Sequence, residues 1–114
     1  MKTLATWKGG DTSFKYDGSV QTGTTLYFGK NNKTQKGISV EQYKKLLDNF
    51  NGQTVKMGSS HDKPLIGSLG AWLKANVCDT ATASYVSAIL IEEGYAKKNK
   101  SEIIFNHISD FESV

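Results

Sequence analysis

The stretch that most restricts the fold runs from Thr80 to Glu93 and is closed by Gly94. Ala83, Val86 and Leu90 recur at helical spacing while Ile89 and Ile91 fall on other sides, so the predicted helix is apolar around most of its circumference. Such a helix is normally covered on more than one side. The cover has three candidate sources: the N-terminal region, the C-terminal tail, or another subunit.

Upstream lies the clearest element of the chain. Val40, Tyr43, Leu46, Leu47 and Phe50 fall on one helical face, with Glu41, Lys44, Lys45 and Asp48 mostly on the other. Ser39 and Gln42 stand at the spacing of a capping box, and Asn51-Gly52 supplies the stop. Thr54 to Met57 reads as a short extended piece. Ser68 caps a second helix to about Ala75, with Leu69, Trp72 and Leu73 on a shared face, and Asn76 to Asp79 makes a turn. Asp79 or Thr80 caps the third helix. Tyr95 to Lys98 and Glu102 to Phe105, separated by Asn99-Lys100-Ser101, then predict a hairpin with a basic tip.

Residues 1–37 carry strand signals instead. Ser13 to Tyr16 alternates polar and aromatic side chains, Asp17-Gly18 is a tight-turn dipeptide, and Ser19 to Thr22 can return antiparallel. Thr24 to Phe28 reads as a further strand, and Gly29 to Gly37, which has no apolar residue, as an exposed loop. Ile108 and Phe111 in the tail are candidates to dock on the body.

At 114 residues the chain fits one domain, and its twelve aromatic residues suffice for a packed interior. All fourteen basic residues are lysine. Without arginine the usual bidentate reader of guanine is missing, although lysine still supplies point charge. The net charge of +3 resides in residues 1–37 and in the predicted hairpin, while the helical centre is close to neutral. Such asymmetry can attract a polyanion or simply keep a protein soluble.

Several functions find no footing. No apolar run is long enough to cross a bilayer, Met1 to Lys8 lacks a signal core, and Cys78 is alone, so the expected location is cytoplasmic. Cys78, His61 and His107 are dispersed, so no metal or other cofactor is expected. Ser59-Ser60-His61-Asp62 brings together the groups of a nucleophilic site, but neighbours on one loop rarely reach the required geometry. Phe14, Tyr16, Tyr27 and Phe28 beside Lys15 and Lys30 can stack single-stranded bases, yet burial against helices is the commoner fate of such a face.

The order from Ser39 to Phe105 is helix, short strand, helix, turn, helix, strand, basic turn, strand. It resembles the winged helix-turn-helix family, with Thr82 to Val86 and Leu90 to Ala96 resembling its recognition helix running into the wing. The expected class is therefore α+β: a winged-helix body at 38–106, an antiparallel β-hairpin extension at 1–37 and a tail at 107–114. The resemblance implies that the third helix enters the major groove of double-stranded DNA, with Thr80, Thr82, Ser84 and Tyr85 facing the duplex. It likewise places Lys97, Lys98 and Lys100 along the wing and Lys74 near the phosphate backbone. The alternative is a scaffold for protein–protein association or dimerisation, without nucleic acid and without catalysis.

Overall fold

The computed structural model describes residues 1–7, 13–57, 67–77, 82–100 and 102–106. Two antiparallel sheets and three helices share one core. The first sheet has four strands in sequence order, β1 (Lys2–Ala5), β2 (Ser13–Ser19), β3 (Gly23–Phe28) and β4 (Thr34–Ile38). Then follow α1 (Val40–Phe50), β5 (Thr54–Lys56), α2 (Leu69–Asn76), α3 (Ala83–Glu92), β6 (Ala96–Asn99) and β7 (Glu102–Phe105). The second sheet has the order β5-β7-β6.

The helices follow their local signals. Ser39 accepts from the Gln42 amide while the Gln42 side chain accepts from the Ser39 amide, so the capping box forms at both ends. Tyr43, Leu46, Leu47 and Phe50 are the buried residues of α1, and Gly52 takes a left-handed φ of 70° just beyond it. Ser68 Oγ accepts from the Ala71 amide at 3.1 Å and starts α2, which buries Leu69 and Leu73 and leaves Trp72 half-buried. Helix α3 begins at Ala83, later than expected, with Thr82 at its cap position, and ends before Gly94 at a φ of 87°. The expected caps Asp79 and Thr80 lie outside the described residues, as does the tail.

The N-terminal third is more than a hairpin. Asp17-Gly18 does not turn: β2 continues through it to Ser19, and the turn falls at residues 20–22, where the Thr22 amide donates to the Ser19 carbonyl at 3.2 Å. Staying extended pairs Gly18 with Thr24 and Ser19 with Gly23, and it delivers Val20 to a fully buried position. Burial of that side chain outweighs the local preference of the dipeptide. The expected loop at 29–37 also divides, into a 3₁₀ turn at Lys30–Asn32 and the edge strand β4. Its polar composition suits an edge that needs only Ile38 in the core.

Alternation along the strands decides which side faces the helices. Phe14 and Tyr16 of β2, and Thr24, Leu26 and Phe28 of β3, are buried on the inner face. Phe14, Tyr16 and Phe28 are thus buried, the commoner fate for such a face, while Tyr27 pairs with Lys15 on the outer face. Thr24 and Tyr43 exchange a buried hydroxyl contact of 2.7 Å that ties the sheet to α1.

Candidate interaction surfaces

The residues expected to meet DNA are best judged from α3 outward. Thr82 is 1% exposed and its hydroxyl finds no hydrogen-bond partner among the described residues. Tyr85 stacks on Phe28 at 4.4 Å between ring centroids and meets Phe14 edge-on at 5.1 Å. The Trp7 amide donates to the Ser84 carbonyl at 3.1 Å, so the chain after β1 runs against the same turn of helix. Thr80 lies outside the described residues. The Tyr85 ring thus belongs to the packing between α3 and the first sheet, and Thr82 is buried, whereas the winged-helix resemblance implies that both face a duplex. The physical reason is the one the apolar circumference announced: Ala83, Val86, Ile89 and Leu90 are all buried, and the first sheet supplies part of the cover.

Glu93 closes the other end of that contact. Its carboxylate accepts from the Tyr16 hydroxyl and from the Val20 amide, each at 2.9 Å. Burial, and then the bond to Glu93, raise the Tyr16 phenol above its ordinary range, and burial does the same for Tyr43 against an opposing effect of Thr24. A raised phenol favours the folded state in its neutral form. The contribution is whole below the ordinary tyrosine value of about 10 and is lost as pH rises above it. Denaturant melts followed between neutral and strongly alkaline pH should show stability flat up to about pH 10 and falling beyond. Ionisation of Tyr16 and Tyr43 should accompany unfolding and not precede it.

The wing lysines do not share a face. Lys98 pairs with Ile103 and Ala96 with Phe105, which places Lys98 on the core side of the second sheet. Its ammonium lies 4.8 Å from the centre of the Trp7 ring and donates to the Trp7 carbonyl. Lys97 pairs with Ile104 and points the opposite way, toward the face where Lys56 and Glu102 form an ion pair at 3.7 Å. Lys100 sits at the turn with a φ of 57°. Lys74 is half-buried in the last turn of α2, where a cation complements the helix dipole. The structure therefore does not gather these residues into one patch.

What sequence reasoning missed is the role of the first seven residues. Thr3, Leu4 and Ala5 followed by Thr6 and Trp7 carry a β-prone alternation that was available as a strand signal. Leu4, Ala5, Thr6 and Trp7 line one side of a cleft of about 320 Å³, Ala88, Ile91 and Glu92 of α3 line another, and Lys98 of β6 completes it. It is mainly apolar, with one acid and one base. Among the described residues no group of three or more His, Cys, Asp or Glu side chains can hold a metal, and no helix is long and apolar enough to cross a membrane. Ser59 to Asp62, Cys78 and His107 lie outside the described residues. No family model matches the chain, and neither a curated protein nor a solved structure does.

Proposed function

We propose that residues 38–106 form a winged helix-turn-helix used as a non-catalytic protein-binding scaffold, with α3 serving the core instead of reading a duplex. The winged-helix reading is supported by the order α1, β5, α2, α3, β6, β7 and by the sheet order β5-β7-β6, in which the strand between α1 and α2 pairs with the last strand. The observation that carries the function is the cover on α3. A recognition helix needs its N-terminal residues bare on the groove side, whereas Thr82 is buried and the half-buried Tyr85 is packed against two phenylalanine rings of the first sheet. The helix itself contains no basic residue.

A second reading keeps nucleic acid but changes the contact. Lys30 and Lys33 at one exposed turn, and Lys97 and Lys100 on the wing, can meet phosphates without any helix entering a groove. One titration separates the two. A short labelled duplex of random sequence at low salt is expected to show no saturable binding. Saturable binding that weakens steeply with salt, and whose salt slope flattens in Lys97→Ala/Lys100→Ala, would replace the protein-binding reading with the phosphate one.

A further inference from the structure

We infer that the cleft between β1, α3 and β6 binds an extended peptide from a protein partner, added as a fifth strand to the first sheet and carrying a carboxylate for Lys98. The inference rests on the protein-binding reading above and names its site. The first argument is the backbone. Strand β1 is the first strand of its sheet and pairs only with β2 among the described residues, so along Lys2–Ala5 its other edge has no described partner strand. An open edge is a template for one kind of ligand, another extended chain, because only a strand satisfies its alternating donors and acceptors.

The second argument is the floor beside that edge. Ser84, Ala88 and Ile91 recur at helical spacing along the flank of α3 beside β1, and Ala88 and Ile91 stay half-buried there. With Leu4 and Trp7 they make an apolar trough next to the edge. A strand laid there points every second side chain into the trough and the others to solvent. The ligand should therefore alternate apolar with polar residues. A trough of about 320 Å³ sits at the lower end of roughly 300–1,000 Å³ typical for bound ligands, which suits a few side chains and not a helix.

The third argument is charge. The Lys98 ammonium is already held, over the Trp7 ring and on the Trp7 carbonyl, so little side-chain entropy is lost when it meets an anion. Its remaining donors favour a carboxylate. Glu92 in the same lining disfavours a second acid on its side. The preferred segment thus places one acidic residue beside alternating apolar ones.

The test is selection from a library of random octapeptides on the full chain, followed by titration of the selected peptides with Trp7 fluorescence and amide NMR. The expected result is enrichment of alternating apolar residues with one Asp or Glu, and chemical-shift changes in residues 3–7, 88 and 91. Ala88→Glu, a half-exposed position, should weaken the selected peptides by about tenfold or more, and Thr25→Glu on the outer face of the sheet should leave them unchanged. A proline at a central position of the peptide should abolish binding. No enrichment, enrichment indifferent to Ala88→Glu, or shifts in β1 that depend on protein concentration without any peptide would overturn the inference. The last result would assign the edge to a second copy of the chain. Duplex binding decides the broader reading separately, so a failed selection with no DNA binding removes this site alone.

Discussion

Alanine in place of Gly18 should destabilise the protein by about 4 kcal/mol, the sum of backbone strain and local overpacking. Gly18 holds a φ of 88°, and an added Cβ would stand 2.1 Å from the Gly23 carbonyl oxygen. That oxygen is backbone in the paired strand, so neither partner can yield without breaking the β2–β3 register at its closed end. Gly37 on β4 is the control. A Cβ there meets nothing within 4 Å, so Gly37→Ala should change stability by less than about 1 kcal/mol. Urea melts of the two variants check this directly; equal midpoints would mean that Gly18 does not hold this left-handed conformation against the Gly23 carbonyl.

Removing the Tyr85 ring should cost about 3 kcal/mol, toward the lower end for aromatic deletions because the side chain is only half-buried. The loss comprises apolar area and two ring contacts, with Phe28 and with Phe14. Tyr85→Phe keeps the rings and should stay within about 1 kcal/mol of the parent. The pair of variants distinguishes two roles for one residue. A DNA-facing tyrosine would lose binding on truncation while leaving the melt nearly unmoved. A tyrosine that seals α3 under the sheet lowers the melting midpoint instead, and Phe restores it. A Tyr85→Ala protein as stable as the parent would expose α3 and restore the groove reading.

Both results bear on how the wing and α3 divide their work. In this molecule α3 is held at one end by Tyr85 and the Trp7 to Ser84 bond, and at the other by Glu93 on Tyr16 and Val20. Those contacts join residues more than fifty positions apart. They leave the flank with Ala88, Ile91 and Glu92 partly open to solvent, which is where the peptide trough lies.

The elements that were legible in the sequence are those whose cause is local. Ser39 with Gln42, Ser68 before Leu69, and Gly52 and Gly94 after their helices act within about one turn, so four or five residues state the outcome. Strand β4 was not legible, because Thr34 to Gly37 has no apolar residue and becomes a strand only by hydrogen-bonding to β3. The Asp17-Gly18 turn failed for a related reason: a local preference of modest size yields to burying Val20 and keeping Gly18 opposite Thr24.

By itself the sequence determined that a helix ending at Gly94 is apolar on nearly all sides and must be covered, and that a lysine-bearing hairpin follows it. Only the tertiary structure decided that β1, β2 and β3 provide part of that cover, that Tyr85 is spent in doing so, and that Lys97 and Lys98 look in opposite directions. Helical periodicity fixes how much of a surface is apolar. Which distant segment lies on it depends on shape and strand register, and a shift of one residue in the wing would exchange the faces of its two lysines.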